Sequence, residues 1–324
     1  MRSSIISAIS VIALLSGAAC GAADSPVAPR RLNPSATPSA TPSANPTVTL
    51  VLGGDVLLGR GVAKRAQRVG WGRLLGDATR LLRRGDLAIV NLESPLGPCL
   101  PGGTARAPRL CGDPRGLTAL KAAGVDAASL ANNHALDAGP EGLRRTAGLL
   151  RRVGIRPLGV QAVLTGRPQA EALGPLTVVA VNLMRPVLSP GRAVALPSPA
   201  AVAREIRRTR RAAPRRPVIL LAHLGREYDR YPGPRERAYG RAAVAAGATA
   251  VVFHGAHVRR ARATDRGAVV HLGLGNLLFD QRDPRTRTGA LLTLRLTPGR
   301  RAQVVAEHCV DNHTGAVMAC PPLP

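Results

Sequence analysis

Side chains able to hold a cation or move a proton recur in this chain at one kind of place, directly after a short apolar run. Asp55 follows TVTLVLGG, Glu93 follows DLAIVNL, Asn133 and His134 follow VDAASLAN, and His223 follows PVILLA. His254 and His257 follow TAVVF with Gly-Ala between them, and Asn276 ends AVVHLGLGN. Carboxylate, amide oxygen and imidazole together suit a hard or borderline divalent cation such as Mn, Fe or Zn. The cysteines, none in a Cys-x-x-Cys arrangement, exclude a thiolate site. Local spacing supports convergence. Asn91 and Glu93 are two apart and share one side of an extended strand, Gly53-Gly54 lets the backbone before Asp55 approach a ligand closely, and His254 and His257 can reach one point from a tight turn. Asn133 and His134 are adjacent, so one can bind metal while the other, unbound, serves as acid or phosphate-oxygen stabiliser. His271, His308 and His313 read as structural or exposed.

Elements that place these residues alternate through the first half. Strands are expected at 47–54, 86–93, 125–131, 155–159, 176–182, 217–225 and 249–255. Asp113 caps and Pro114 opens a helix that stops at Gly124. Residues 139–154 put Leu143, Ala147 and Leu150 on one face and arginines on another, an amphipathic helix. Further helices are expected near 204–212 and 234–246. The last third is strand after strand, so the sheet system is mixed and not purely parallel. Ligand groups in open α/β sheets gather outside the carboxyl ends of strands, which predicts a single site built from six strand ends.

Part of the 324 residues is not fold. Residues 1–20 carry a basic start, an apolar run and small residues before a cut site, the pattern of a secretory signal. Cys20 fits lipoprotein-type cleavage and lipidation, with ordinary cleavage after Ala23 as the alternative. Residues 21–46, with PSATPSATPSAN, form a linker without apolar periodicity. The folded domain is expected at 47–310 and a tail at 311–324. With Cys20 set aside, four cysteines remain in a chain read as exported, and the expected disulfides are Cys99–Cys111 and Cys309–Cys320. Lys and Arg number 45 against 19 Asp and Glu, a net charge of +26. That charge reflects either attraction to an anionic envelope polymer or an arginine-favouring composition. The densest patch is REIRRTRRAAPRR, 204–216. Two Phe, three Tyr and one Trp offer few stacking platforms, and with export this argues against nucleic acid.

The segments GGDVLLGR, DLAIVNLESPLG, SLANNHALDAGPEGL, ILLAHLGREYDRYP, VVFHGAHV and LGLGNLLFD occur in this order. Together they resemble the bacterial CapA family of poly-γ-glutamate capsule-synthesis proteins over about 49–280. That family is similar to calcineurin-like metallophosphoesterases, so the resemblance implies a four-layer α/β/β/α sandwich with mixed sheets. It implies metal ligation by Asp55, Glu93, Asn133 and His223, with His254 and His257 in place of the phosphoesterase Gly-His-x-His turn. His134 becomes the catalytic histidine, oriented by Asp137. Arg60, Glu227 and Tyr228 become substrate contacts, and Asn276 is expected to join them. Leu57 stands where phosphoesterases usually carry the histidine of Asp-x-His, so of one or two divalent ions the expectation is one, or a second bound weakly. The expected function is that of an exported, lipid-anchored protein of the cell envelope acting in capsule synthesis or export. Its expected chemistry is metal-dependent hydrolysis or transfer on an anionic polymer such as poly-γ-glutamate, at a membrane capsule-synthesis complex. A non-catalytic polyanion binder and an extracellular phosphoesterase are the alternatives.

Overall fold

The computed structural model describes residues 46–102, 108–185 and 194–323. The expected signal segment, Cys20 and nearly all of the linker lie outside the described residues. In chain order these residues form β1 (Val48–Val56), α1 (Arg60–Val69), α2 (Ala78–Leu82), β2 (Leu87–Leu92), α3 (Leu117–Ala122), β3 (Ala127–Ser129) and α4 (Gly139–Arg152). There follow β4 (Arg156–Leu158), α5 (Val160–Thr165), β5 (Ala170–Leu173), β6 (Leu176–Asn182), α6 (Pro199–Ala212), β7 (Val218–His223) and α7 (Pro234–Ala245). After α7 only strands and turns remain: β8 (Ala250–His254), β9 (Arg262–Asp265), β10 (Ala268–His271), β11 (Asn276–Leu278), β12 (Thr288–Leu296), β13 (Gln303–Asp311) and β14 (Val317–Met318).

Two mixed sheets result. The first runs β14-β13-β12-β1-β2-β3-β4, with β11 also on β1, and the second runs β5-β6-β7-β8-β10-β9. The β1–β2–β3–β4 and β6–β7–β8–β10 pairings are parallel, and the flanking pairs β1–β12, β12–β13, β5–β6 and β9–β10 are antiparallel. Alternation along the second sheet sets the layers. Val178, Ala180, Ile219, Leu221 and Val252 share one apolar core with Leu50, Leu52 and Ile89 of the first sheet. Their neighbours Val179, Val181, Leu220, Val251 and Phe253 pack with Val202, Ile206, Tyr239 and Ala243 of α6 and α7. Helices α1 to α4 add Val62, Ala66, Leu82, Leu120, Leu143 and Leu150 to the core of the first sheet. The order is helix, sheet, sheet, helix, as the resemblance implies. Strands covered on both faces must be apolar throughout, which explains VTLVLGGDV and LTVVAVN.

Helix ends follow local chemistry. Ser198 accepts from the Ala201 amide at 3.2 Å to cap α6, and Glu236 accepts from the Gly233 amide at 2.6 Å at the start of α7. In α4, Pro140 and Glu141 open the first turn and Arg151 and Arg152 close the last, each at the end its charge favours.

The run AVVHLGLGN is not one strand. It leaves the second sheet after His271 and enters the first at Asn276, which begins β11 opposite Asp55. Gly273 and Gly275 make the crossing, and Asp55 N–H donates to the Gly275 carbonyl at 2.9 Å. Asn276 therefore reaches the site from the start of a strand, unlike the other five positions. Past Asp311, β14 pairs with β13, and the Cys309–Cys320 disulfide ties this segment to the sheet.

Candidate metal centre

The carboxyl ends of β1, β2, β7 and β8 meet where the two sheets come together. Asp55 is the penultimate residue of β1, Glu93 follows β2, and His223 and His254 end β7 and β8. One ligand atom each from Asp55, Glu93 and His223 lies within 4.8 Å of the other two, and all three residues are buried. Two glycines permit this approach. A Cβ on Gly54 would come within 1.9 Å of the Gly275 carbonyl oxygen, and one on Gly255, at φ 93°, within 2.8 Å of His223 Nε2.

Asp55 is held from three directions. The Asn91 amide donates to its Oδ1 at 2.8 Å, Gly255 N–H reaches Oδ2 at 3.3 Å, and His257 Nδ1 is 3.3 Å from Oδ2. Burial opposes ionisation, but the His257 hydrogen bond and charge, with the charges of His254 and His223, hold this carboxyl well below its usual range. At His257 burial favours the neutral ring, yet the Glu93 and Asp55 carboxylates push its pKa up to about 10. His254 shifts the other way, because burial and the neighbouring His223 outweigh the pull of Asp55. Its Nε2 lies 3.2 Å from the Gly53 carbonyl, so of the two turn histidines it is His257 that faces the carboxylates.

Glu93 is fully buried, and both carboxylate oxygens lack a hydrogen bond. His223 Nε2 is 3.4 Å and His257 Nε2 3.8 Å from its Oε1, close enough for attraction but not aligned to donate. His223 Nε2 and the buried Asn133 Oδ1 also lack partners. An ionised carboxylate without donors in an apolar setting costs several kcal/mol. Its acceptor set, with the Asp55 carboxylate and the His223 nitrogen, fits a divalent cation.

The Asn132–Asp137 turn follows β3. Asn132 donates to the Leu92 carbonyl at 2.9 Å and to Asn91 Oδ1 at 3.3 Å, which ties the turn to the Asp55 cluster. His134 Nδ1 lies 2.8 Å from Asp137 Oδ2, and that same oxygen accepts from Leu110 N–H at 2.7 Å. The ring is thus oriented through Nδ1, leaving Nε2 for other chemistry.

A family model described as bacterial capsule synthesis protein PGA_cap matches residues 49–281, spanning all of these positions. The chain belongs to this family. Among its relatives, the capsule biosynthesis protein CapA of Bacillus anthracis is 25% identical over 266 residues, 77% of this chain and 64% of the relative. The PGA biosynthesis protein CapA of Bacillus subtilis (strain 168) is 26% identical over 255 residues, 75% of this chain and 66% of the relative. The chain thus spans a little under two thirds of each relative's length. Similar solved structures include the NAD nucleotidase NadN of Haemophilus influenzae, with TM-score 0.46 and 11% identity, covering 86% of this chain and 54% of that one. TT1561 of Thermus thermophilus aligns with TM-score 0.41 and 10% identity, covering 85% and 98%.

In this member of the PGA_cap family, Leu57 packs fully buried against Leu110 and Phe279, an apolar cluster where an Asp-x-His motif would bring an imidazole. Arg60 is ion-paired with Asp280, and Glu227 is exposed. Tyr228 accepts from Gln281 Nε2 at 3.2 Å, Gln281 Oε1 accepts from Asn276 Nδ2 at 2.8 Å, and Asn276 Oδ1 is 2.9 Å from His257 Nδ1. This relay joins Tyr228 to the carboxylates through His257. Arg60, Tyr228 and His257 all take positive φ (48°, 63° and 59°), a conformation L-residues avoid. Cys99 and Cys111 are disulfide-bonded, in the loop that supplies Leu110. Sequence reasoning assigned no role to Asn91, Asn132 or Gln281. Asn91 had a visible signal, its two-residue spacing from Glu93, but an amide's part depends on partners that only the fold supplies.

Proposed function

We propose that this chain is an exported, lipid-anchored capsule-synthesis protein whose strand-end cluster holds a divalent metal for hydrolysis or transfer on an anionic envelope polymer such as poly-γ-glutamate. The observation that carries the reading is Glu93, fully buried with two oxygens that accept no hydrogen bond, facing His223 and His257. Asp55, Glu93, His223 and Asn133 would hold the ion, and His257 would adjoin it. When bound, a divalent metal supplies Lewis-acid polarisation of the scissile group's oxygen. Asn91 and Gly255 N–H fix the Asp55 carboxylate before any ion arrives. Asp137 sets the His134 ring so that Nε2 can pass a proton to the leaving group. Tyr228 and Arg60 border the entrance.

Metal analysis of the purified protein tests this reading. Wild type should carry about one divalent ion per chain, and Glu93→Ala should lose it, because ligand affinity depends on the deprotonated carboxylate. Stoichiometric metal in Glu93→Ala sinks the assignment. A panel of γ-glutamyl polymers and phosphoesters then distinguishes the polymer enzyme from a phosphoesterase. The anchor has its own test: Cys20→Ala should leave the membrane fraction, and unchanged retention rules lipidation out. The buried Leu57 cluster favours a second reading, a polymer binder with one metal and no turnover. Metal without hydrolysis of any substrate in the panel is its signature.

A further inference from the structure

The fold divides the arginine patch at 204–216. Arg204, Arg207 and Arg211 lie exposed on α6, whereas Arg210 and the exposed Arg215 turn into a cleft. This cleft consists of two adjoining cavities of about 250 Å³ and 640 Å³ that share Arg210, Arg215 and Arg300 in their walls. Arg266 and Arg301 complete the smaller one, and no acidic side chain lines either. The arginines converge from three separate segments: the exit of α6, the β9–β10 turn and the β12–β13 turn.

Composition accounts for unmatched arginines, since basic residues outnumber acidic ones, 45 to 19. It does not account for five on one concavity. Elsewhere the few acids are placed against arginines: Asp280 on Arg60, Asp283 on Arg285, Asp311 on Arg287 and Glu307 on Arg259 and Arg262. Among the described residues, the guanidinium groups of Arg215, Arg266, Arg300 and Arg301 have no hydrogen-bond or ion-pair partner. Gathering like charges in a concave wall raises the local potential and draws in anions.

The backbone at Arg266 is an independent observation. Arg266 and Gly267 form a two-residue hairpin turn with φ of 48° and 85°. A turn with both residues at positive φ is built most easily from Asn-Gly, and arginine in the first position is sterically disfavoured. Four non-glycine residues among those described take positive φ. His257 faces the carboxylates, Tyr228 is joined to it through Gln281 and Asn276, Arg60 pairs with Asp280, and the fourth is Arg266. Such conformations persist where function holds them.

The cleft lies at the opposite end of the sandwich from the metal centre. Thr47, Pro217, Thr249 and Gly267 in its walls immediately precede β1, β7, β8 and β10. The length of β1 puts roughly 25 Å between them, at about 3.3 Å per residue. We propose that this cleft is a second binding site, which takes successive oxyanion groups, carboxylate or phosphate, of a linear polyanion. The guanidinium fork matches either group in two-point fashion. A linear polymer is the occupant because two cavities joined through one arginine wall have room for more than one anionic group.

Binding of labelled polyglutamate and of polyphosphate to the full chain tests this, at about 150 mM salt to screen diffuse attraction. The triple variant Arg215→Ala/Arg266→Asn/Arg300→Ala should weaken at least one polymer about tenfold or more. The control Arg204→Ala/Arg207→Ala/Arg211→Ala removes the same charge from α6 and should cost less than about threefold. Which polymer suffers the loss identifies the anion as carboxylate or phosphate. Because Glu93→Ala removes whatever the metal centre contributes to polymer binding, the cleft triple is also made in that background, where its fold-loss should match that in the wild type, so failure of one site is distinguishable from failure of the other. Arg266→Asn alone suits the turn, so its Tm should equal or exceed that of wild type while affinity falls. Equal losses in the two triples, no loss from the cleft triple in the Glu93→Ala background, or unchanged affinity in Arg266→Asn would overturn the proposal. So would free glutamate or inorganic phosphate competing as well as the polymers.

Discussion

At His134 one hydrogen-bonded contact sets the ring. Asp137 Oδ2 engages Nδ1 at 2.8 Å and is itself fixed by Leu110 N–H, so the orientation is decided before any substrate arrives. His134→Asn should therefore keep fold and metal while hydrolysis falls by about a hundredfold or more, the usual scale for a positioned general acid. A buried histidine with a purely structural role forecasts the reverse, a lower Tm with unchanged turnover, and a wild-type rate in the variant ends the catalytic assignment. At this scale the sequence was informative where a polar residue interrupts an apolar run, because burying Asp55, Glu93 or His223 demands a partner. It did not reveal the parts played by Asn91 and Asn132, whose amides serve here as donors to Asp55, Asn91 and the Leu92 carbonyl. Nor could spacing distinguish His257, turned to the carboxylates at positive φ, from His254, turned to the Gly53 carbonyl.

Among elements, the loop closed by Cys99 and Cys111 reaches furthest into the site. Leu100 N–H donates to the Asp137 carbonyl at 2.9 Å and Leu110 N–H to its carboxylate at 2.7 Å, so both ends of the disulfide loop grip the residue that orients His134. Replacing both cysteines by serine should loosen that grip without touching the carboxylates. The expected result is retained metal, a His134 ring signal that shifts or broadens in NMR, and lower turnover. A sharp, unshifted His134 signal would show that the loop holds Asp137 without the disulfide. The strands were legible because a strand covered on both faces is a continuous apolar run. Helix α1 was not: of its ten residues only Val62 and Ala66 are buried, too few to show a period. The crossing at Gly273–Gly275 was also hidden. Apolar residues on its two sides, in different sheets, read as one strand, and nothing local marks the change of sheet.

Across the whole molecule, Glu307 joins the two layers. It lies on β13 of the first sheet, 3.5 Å from His271 on β10 and 3.3 Å from Arg262 on β9, both in the second sheet, and 3.2 Å from Arg259 just beyond β8. Burial alone would raise its pKa, but the hydrogen bonds and charge of His271 with the two arginines lower it to about 2. A carboxyl whose folded pKa is depressed adds stability above its ordinary range near 4.5, and that stability disappears as pH falls towards 2. Glu307→Gln should therefore lower Tm by roughly 5 °C at pH 7, on the scale of a lost charge-assisted hydrogen bond. The gap between wild type and variant should narrow steadily from pH 5 to pH 3, because the unfolded wild-type chain takes up a proton at Glu307 in this range while the folded carboxylate stays charged. A Tm difference that stays constant over this interval would mean that Glu307 contributes shape and not charge to the joint between the sheets.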